Sequence, residues 1–197
     1  MEDLTPMGYL VKMKDLTPVT LPERFDPHDS TFDPHDSTPM TLDPHDSIVF
    51  VIAGTGANIR NLKARAESLA AKNIMFLPLQ PKARLPEMLA AADVCMVIQK
   101  RKVSDIVFPS KMVNIMAAGR PSVVTADSDT ELAQVVQESR CGFIACPENV
   151  EDLRTTILKA YGDKNLSDKG DRALTYADSH FGREKVLSDL DQLLSSI

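Results

Sequence analysis

Apolar and polar residues follow two different periodicities along most of this chain. Short, almost wholly apolar runs occupy residues 48–53, 74–77, 94–98, 122–126 and 142–146. Between and after these runs, apolar residues recur every three or four positions, which is the spacing of one helix face. This second pattern predicts helices near residues 58–72, 81–92, 110–118, 129–138, 150–161, 166–180 and 183–194. Because strands alternate with helices, we expect right-handed βαβ crossovers and a parallel sheet covered on both faces.

The predicted fold class is therefore α/β, with an open doubly wound parallel sheet of the Rossmann-like kind. At 197 residues the chain is long enough for one such domain and too short for two of full size. Aromatic residues make up only 5% of the chain, so Ala, Val, Leu, Ile and Met must fill the core. We assign residues 48–197 to this domain, closed by C-terminal helices, and residues 1–47 to a separate arm.

The N-terminal arm differs in composition from the rest of the chain. Asp-Pro-His-Asp-Ser occurs three times in it, at residues 26–30, 33–37 and 43–47. Each Asp-Pro favours turns and disfavours helix, so a low-complexity, mostly irregular arm is expected. Only residues 7–13 are apolar enough for a short strand, and we expect that strand at a sheet edge.

The repeats in the arm place three histidines, His28, His35 and His45, beside acidic residues. Imidazole and carboxylate groups together can bind Zn²⁺ or Ni²⁺. Their spacing matches no preformed site, so sequence duplication in a tolerant surface arm is the preferred interpretation. A metal-binding module remains an alternative, and no metal site is predicted in the domain itself.

Charge and cysteine content narrow the possible functions. The net charge is −6 and the basic residues are scattered, which argues against a nucleic-acid surface. Cys95, Cys141 and Cys146 show no Cys-x-x-Cys spacing, which favours a reducing compartment. No apolar run approaches the roughly 18–20 residues that cross a bilayer, and no signal-peptide pattern opens the chain. We expect a cytoplasmic protein with at most peripheral contact at the inner membrane face.

The clearest candidate chemistry lies in residues 107–125, which read as a loop, a short helix and a buried strand. Pro109 suits the first helical turn, and Ser110 and Lys111 bring backbone N–H groups, a hydroxyl and an ammonium to the positive end of the helix dipole. Such a helix start can hold an anion such as a phosphate. The same residues also fit an ordinary buried helix that ends at Gly119, and both interpretations stay open.

Other loops should reach the same edge, because ligands of such sheets bind outside the carboxyl ends of the strands. Gly54 and Gly56 would let a ligand approach, and Glu131 begins a later helix, where the dipole or a ligand explains a carboxylate equally well. The third glycine and the acidic residue of a dinucleotide site are missing, so NAD binding is not expected. Residues 100–102 are expected to be solvated rather than to face phosphates, and His180 to pack or to cap its helix.

Several short blocks of the domain occur in an order and spacing typical of one enzyme family. They are Phe50-Val-Ile-Ala-Gly-Thr-Gly56, Asn73-Ile-Met-Phe-Leu-Pro78, Leu89-Ala-Ala-Ala-Asp-Val94, Phe108-Pro-Ser-Lys111, Ala117-Ala-Gly-Arg-Pro121, Thr130-Glu-Leu-Ala-Gln-Val-Val136 and Cys141-Gly142. These blocks resemble the C-terminal, nucleotide-sugar-binding half of family-4 glycosyltransferases, which have the two-domain GT-B fold. The similarity is greatest to the bacterial exopolysaccharide branch of the colanic-acid type, and residues 177–183 look like the closing helices of that branch.

The resemblance implies a retaining transferase that moves a sugar from a nucleotide diphosphate donor to a saccharide or lipid-linked acceptor in exopolysaccharide biosynthesis. It implies no cofactor and no required metal. In that family pattern Ser110 and Lys111 hold the donor diphosphate, Gly54 and Gly56 line the donor cleft, and Asn114 stands near the ribose or the sugar.

Three departures from the family pattern affect these expectations. Many members carry a pair of glutamates where this chain has Ile106 and Asn114. The strand and helix that should precede Phe50 have no recognisable counterpart in residues 1–47, and an acceptor domain is missing. Since catalysis in this fold occurs between two domains, we expect a donor-binding domain that needs a separate acceptor domain or subunit. The alternative is a non-catalytic α/β interaction domain derived from such an enzyme.

Overall fold

A computed structural model of the chain describes residues 8–12, 48–101 and 108–196. Within these residues six strands form one sheet, in the spatial order β3-β2-β1-β4-β5-β6. The strands are β1 (Gly8–Lys12), β2 (Val49–Ala53), β3 (Ile74–Leu77), β4 (Val94–Val97), β5 (Ser122–Thr125) and β6 (Gly142–Ala145). This order is the one found in dinucleotide-binding sheets.

The helices of the described residues follow the strands in the predicted alternation. They are α1 (Ile59–Ser68), α2 (Leu85–Ala90), α3 (Ser110–Ala117), α4 (Glu131–Ser139), α5 (Val150–Gly162), α6 (Leu166–Phe181) and α7 (Arg183–Ser195). A single 3-10 turn, Lys82–Arg84, precedes α2. The α/β class and the C-terminal pair of helices are thus confirmed.

The five strands of the domain all point in one direction, as predicted. β2 pairs parallel with β3, and β4, β5 and β6 pair parallel with one another. β1 is the exception, because it pairs antiparallel with both β2 and β4. The expectation of an edge position for this strand is wrong. Leu10 lies opposite Val51 on one side and Cys95 on the other, so the backbone of β1 joins two groups of parallel strands.

Apolar side chains cover both faces of the sheet. On one face, alternate strand residues such as Cys95, Val97 and Val124 pack with residues of α2, α3, α4 and α6. On the other face, Val94 and Val123 pack with residues of α5. The two-sided burial explains why the strands read as continuous apolar runs rather than as alternating ones.

Most helix ends agree with the sequence predictions, and one cap does not. Gly119 follows the end of α3 with φ +63°, a conformation that glycine adopts without strain. Asn149 caps α5, since its side chain accepts a hydrogen bond from Asp152 N at 3.0 Å. The N-cap of α4 is Thr130 rather than Asp129, because the Thr130 hydroxyl accepts from a first-turn amide of the helix.

The first two predicted helices are shorter than their apolar spacing indicated. The helix expected over residues 58–72 ends at Ser68, and Ala70 has φ +48°. Leu69, which continues the apolar spacing of this helix, is 61% exposed. The helix expected over residues 81–92 divides into the 3-10 turn and the six residues of α2.

Helices α3 and α6 approach each other through two glycines. A Cβ atom added to Gly170 of α6 would lie 2.3 Å from the carbonyl oxygen of Gly119. Only a residue without a side chain fits there, so the two backbones come into direct contact. This close approach fixes the position of α3 against the C-terminal helices.

The histidine repeats and most of the predicted arm lie outside the described residues. His28, His35, His45 and Ile106 are all in that part of the chain. In residues 8–12, 48–101 and 108–196, no group of three or more potential metal ligands is found. No helix in the same part of the chain has both the length and the apolar character needed to cross a membrane.

Candidate functional site

The candidate site residues gather at one edge of the sheet, where the parallel strands end. Gly54 and Gly56 follow β2, Pro109 to Lys111 precede and begin α3, the helix after β4, and Glu131 begins α4 after β5. Because β1 runs in the opposite direction, its carboxyl end lies at the other edge. The loops after β2 and β4 therefore flank one intervening strand, at roughly 10 Å from each other for two strand spacings.

The loop after β2 has the backbone geometry of a tight glycine turn. Gly54 is buried and has φ +120°, which other residues adopt only with strain. Its amide donates a hydrogen bond to the Leu77 carbonyl at 3.1 Å, which ties the loop to the end of β3. Gly56 is exposed, and its carbonyl accepts from Ile59 N at 3.1 Å, so it belongs to the turn that opens α1.

Helix α3 begins at Ser110, as its apolar spacing predicts, but Pro109 lies just before the first turn rather than in it. Pro109 is its N-cap, with φ −71° and ψ 117°, and accepts a 2.8 Å hydrogen bond from Met112 N. Among the described residues no side chain caps the start of α3, as is also true of α1, whereas Thr130 and Asn149 cap α4 and α5. A helix start without a capping side chain presents N–H groups and a positive potential that suit an anion.

The side chains at the start of α3 divide between solvent and core. Ser110 is exposed and Lys111 is half-buried, and burial lowers the pKa of Lys111. Met112, Ile115 and Met116 are almost completely buried, which confirms the predicted apolar stripe. The helix is thus held by its core face while its first turn stays at the surface. Partial burial lowers the Lys111 pKa because desolvation disfavours the charged ammonium.

Asn114 and Glu131 also lie at this edge and are both exposed. Asn114 is one turn beyond Ser110 on α3, and Glu131 is the first residue of α4, next to the Thr130 cap. The helix dipole and a ligand remain equally good explanations for the Glu131 carboxylate.

Sequence reasoning missed a polar pair that joins the ends of β4 and β5. The Thr125 hydroxyl accepts from Gln99 N at 2.7 Å and donates to the Gln99 carbonyl at 2.8 Å. The Gln99 side-chain oxygen Oε1 is buried, and no hydrogen-bond partner for it occurs in the described residues. The sequence signal that could have predicted this pair is a threonine at the end of an apolar strand, because a buried hydroxyl needs hydrogen-bond partners.

Arg101 differs from the expectation that residues 100–102 are simply solvated. Its guanidinium donates to Cys146 Sγ at 3.4 Å and to the Pro147 carbonyl at 3.5 Å, and it lies 4.0 Å from an Asp127 carboxylate oxygen. Arg101 therefore links the loops that follow β4, β5 and β6. Lys100 is exposed, and Lys102 lies outside the described residues.

Cys95 lies within β4, Cys141 immediately before β6 and Cys146 immediately after it, and these three thiols show no arrangement for nucleophilic catalysis. Burial raises the pKa of Cys95 to about 12 and also raises the pKa of Cys141. Both thiols are therefore protonated at neutral pH and inert. Cys146 is exposed, and its sulfur accepts the weak hydrogen bond from Arg101.

An aromatic cluster at the end of α6 supports the start of α3. The Phe181 and Phe108 rings are 5.7 Å apart between centroids, and Phe108 immediately precedes Pro109. The Tyr176 hydroxyl donates to Glu138 of α4 at 3.1 Å. His180 stacks on Tyr176 at 3.8 Å, with its Nδ1 3.1 Å from the Tyr176 carbonyl. The stacking confirms the expectation that His180 packs, whereas its contact with the Tyr176 carbonyl lies within α6 and does not cap the helix end.

Comparison with known proteins agrees with this geometry. The chain is 36% identical over 144 residues to WcaI of Escherichia coli (strain K12), a glycosyl transferase whose name assigns it to colanic acid biosynthesis. The match covers 72% of this chain and 34% of WcaI. The chain thus spans about a third of the length of that relative.

Two solved structures share the fold. WaaG, a glycosyltransferase involved in lipopolysaccharide biosynthesis, superposes with a TM-score of 0.55 at 22% identity, over 72% of this chain and 36% of WaaG. Anabaena HepE, solved in complex with UDP-glucose, gives a TM-score of 0.61 at 19% identity, over 75% of this chain and 40% of HepE. The predicted likeness to the C-terminal half of GT-B enzymes is confirmed at the level of the fold.

The sequence profile of the family described as glycosyl transferases group 1 matches residues 38–174, which is more than half of the chain. The chain therefore belongs to the group 1 glycosyl transferases.

Proposed function

We propose that this chain is the donor-binding part of a glycosyltransferase and binds a nucleoside diphosphate sugar at the carboxyl edge of its sheet. The observation that carries the proposal is the start of α3. It presents Ser110 and Lys111 beside first-turn N–H groups, with no capping side chain among the described residues. The HepE structures, which contain UDP or UDP-glucose, support the same ligand class by analogy of family.

Each candidate residue has a defined task in this proposal. The helix start and Lys111 hold the diphosphate, while Gly54 and Gly56 leave room for the ligand at the opposite side of β1. Asn114 lies near the ribose or the sugar, and Glu131 at the far side of the cleft. As the bond from the sugar to the diphosphate breaks, negative charge grows on the leaving phosphate. A lysine ammonium and the positive end of a helix dipole beside this phosphate would stabilise the charge without a metal or cofactor.

The transfer itself requires an acceptor that this part of the fold does not hold. We propose a saccharide or lipid-linked acceptor in exopolysaccharide biosynthesis, in line with the name of the WcaI relative. A separate acceptor-binding domain or subunit would place that acceptor against the donor, since reacting groups must be held together. The reaction would take place in the cytoplasm, at the inner face of the membrane when the acceptor is lipid-linked.

A non-catalytic interaction domain is the second candidate, and the direction of β1 favours it. Because β1 is antiparallel to its neighbours, no helix start can follow the central strand at the binding edge. A ligand at the binding edge therefore receives no backbone N–H groups from a helix after the central strand. The donor site would then depend on α3 and the glycine loop alone.

Calorimetric titration of the chain with UDP and with GDP tests the proposal. We expect saturable binding of one nucleotide, weakened about tenfold or more by Lys111→Ala, because a charge-assisted contact contributes roughly 1.5–3 kcal/mol. Lys159→Ala is the matched control, since Lys159 is an exposed lysine on α5. Circular dichroism should show both variants folded.

Two results would contradict the proposed function. Undiminished affinity in a folded Lys111→Ala variant would remove Lys111 from the site. Absence of binding for both nucleotides at millimolar concentration would reject donor binding and leave the interaction domain as the better function.

A further inference from the structure

Gln99 lies where β4 leaves the sheet, at the edge where the candidate site residues gather. β4 and β5 pair through Val97 and Val124, which are the last pair of their ladder. Beyond that pair a side chain takes the place of a backbone partner. The Thr125 hydroxyl accepts from Gln99 N at 2.7 Å and donates to the Gln99 carbonyl at 2.8 Å. One hydroxyl thus satisfies both backbone groups of Gln99.

Thr125 is itself held by the core of the sheet. It is 2% exposed and lies opposite Ala145 of β6. The next residue, Ala126, donates a hydrogen bond to the Ala145 carbonyl at 3.1 Å. The Thr125 hydroxyl therefore ties the backbone of Gln99 to β5 and β6, and only the side-chain torsions of Gln99 stay free to adjust.

The side-chain amide of Gln99 carries an acceptor that the described part of the chain does not use. Its oxygen Oε1 is buried, and no group in residues 8–12, 48–101 and 108–196 donates a hydrogen bond to it. Arg101, two residues later in the same loop, directs its guanidinium to Cys146 and Pro147 instead. Buried acceptors in native proteins nearly always have a donor. A ligand that offers a donor at this position would therefore bind favourably.

The amide can turn toward such a ligand. Gln99 as a whole is only partly buried, so part of the residue reaches the surface at the binding edge. The torsion that orients its amide, χ3, joins an sp³ to an sp² carbon and has a broad energy minimum. A rotation about χ3 brings the amide oxygen within reach of a bound molecule without moving the backbone that Thr125 holds.

The parts of a nucleoside diphosphate sugar differ in what they offer to an amide. The diphosphate has acceptor oxygens, which suit the Lys111 ammonium and the N–H groups at the start of α3. The hydroxyl groups of the ribose and of the transferred sugar both donate and accept, as a primary amide does. Gln99 and α3 belong to the same connection after β4. The hydroxyl-bearing rings on either side of the diphosphate are thus the nearest complement to the amide.

We propose that Gln99 binds a hydroxyl group next to the donor diphosphate, and that Thr125 is the positioning residue that holds Gln99 in place. The hydroxyl belongs to the ribose or to the transferred sugar, which offer the same chemistry to the amide. This assignment rests on the proposed function. It adds a contact with a hydroxyl group to the contacts of Ser110 and Lys111 with the charged diphosphate.

Calorimetric titration of Gln99→Met tests the contact, because methionine keeps the length of the side chain and lacks both amide groups. The ligands are the nucleotide that the wild-type chain binds, UDP or GDP, its 2′,3′-dideoxy analogue, and the corresponding UDP-glucose or GDP-mannose. We expect the affinity to fall about three- to tenfold, as for the loss of one hydrogen bond. Gln137→Met is the matched control, since Gln137 is an exposed glutamine of α4, and it should bind like the wild type.

The series of ligands distinguishes the two sources of the hydroxyl. With a ribose contact, Gln99→Met loses affinity for the nucleotide but not for the dideoxy analogue. With a contact to the transferred sugar, it loses affinity for the nucleotide sugar and keeps its affinity for the nucleotide. The Tm of Gln99→Met should not fall below the wild-type value, because an apolar group replaces an unpaired buried acceptor. Stability thus separates a lost contact from a damaged fold.

Thr125→Val and Thr125→Ser test the positioning role, at a temperature at which circular dichroism shows both variants folded. Valine lacks the hydroxyl and should lower the same affinity about as much as Gln99→Met does. Serine keeps the hydroxyl and should bind like the wild type. In a double variant with Gln99→Met, Thr125→Val should cause no further loss, because Thr125 acts through Gln99.

Three results would overturn the proposal. They are a Gln99→Met variant that binds every ligand like the wild type, equal losses of affinity for all three ligands, and additive losses from Thr125→Val and Gln99→Met. A wild-type chain that binds no nucleotide would contradict the proposed function as well. Nucleotide binding that is unchanged in Gln99→Met, for the nucleotide and the nucleotide sugar alike, contradicts this assignment alone.

Discussion

Asp163 is fixed by two polar neighbours in the connection between α5 and α6. Its carboxylate accepts a 2.7 Å hydrogen bond from Asn165 N and lies 3.1 Å from the Lys169 ammonium. The Asn165 amide is the larger cause, and Lys169 a further one, of the lowered pKa of Asp163. The Lys169 ammonium also lies 5.2 Å from the centroid of the Phe143 ring. The contact between Lys169 and Phe143 therefore links α6 to β6.

Asp163→Asn should lower Tm by about 2–4 °C at pH 6, for a loss of roughly 1 kcal/mol. A lowered pKa in the folded state means that the carboxylate stabilises the fold above its ordinary pKa of 3.8. That contribution disappears as the pH falls through the lowered folded value. Urea midpoints of wild type and variant should therefore begin to converge as the pH falls below about 3.8, and should be equal only below the lowered folded pKa.

Asp171→Asn provides the control for this pH dependence, since Asp171 is an exposed aspartate of α6. Its urea midpoint should equal that of the wild type at every pH. A destabilisation by Asp163→Asn that is equally large after protonation would show that the charge is not its cause.

Individual site residues could be predicted where one local rule decides their geometry. Pro109 and Gly119 bracket α3 as expected because the fixed φ of proline and the positive φ of glycine act locally. The role of Arg101 could not be predicted in this way. Its partners Cys146 and Pro147 are about 45 positions away, and only the folded sheet brings the loops together.

At the scale of elements, the contact between α3 and α6 positions the start of α3, which is part of the candidate site. Gly170→Ala would place a Cβ atom 2.3 Å from the Gly119 carbonyl oxygen, which is backbone and cannot move aside cheaply. The two helices must separate to relieve this overlap. We expect a loss of about 2 kcal/mol, or roughly 4–8 °C in Tm, from this overpacking. Because the start of α3 moves with the helix, affinity for the nucleotide should fall as well.

Gly162→Ala is a suitable control for that variant, because an added Cβ at Gly162 meets no atom within 4 Å. Its Tm should match or exceed the wild-type value, since alanine favours helix over glycine. Equal melting temperatures for Gly170→Ala and Gly162→Ala would show that α3 and α6 are not in tight contact.

The elements β2 to β6 were predictable because each is a short run of buried apolar residues. The same reasoning overestimated the helices after β2 and β3, since apolar spacing continues through Leu69 although the helix has already ended. α1 has no buried residue, so its spacing reflects partial rather than full burial. The position of β1 could not be predicted, because strand pairing depends on contacts far apart in sequence.

At the scale of the whole molecule, β1 connects the two parts of the sheet. β2 and β3 form one parallel group, and β4, β5 and β6 form the other. The only strand pairing between these groups in the described residues passes through β1, which pairs with both. The antiparallel strand β1 thus supplies the backbone hydrogen bonds that join the two parallel groups of this sheet. It occupies the place between β2 and β4, so cooperative unfolding of the domain should depend on it.

Leu10→Pro tests this dependence, because proline lacks the backbone N–H that a central strand needs. Leu10 lies between Val51 and Cys95 in the sheet, and we expect a loss of about 3 kcal/mol, or roughly 6–12 °C in Tm. Leu10→Val keeps the N–H and favours strand, so its Tm should stay within a few degrees of the wild type. If both variants melt like the wild type, β2 to β6 hold together without β1, and the central position of the strand contributes nothing to the stability of the domain.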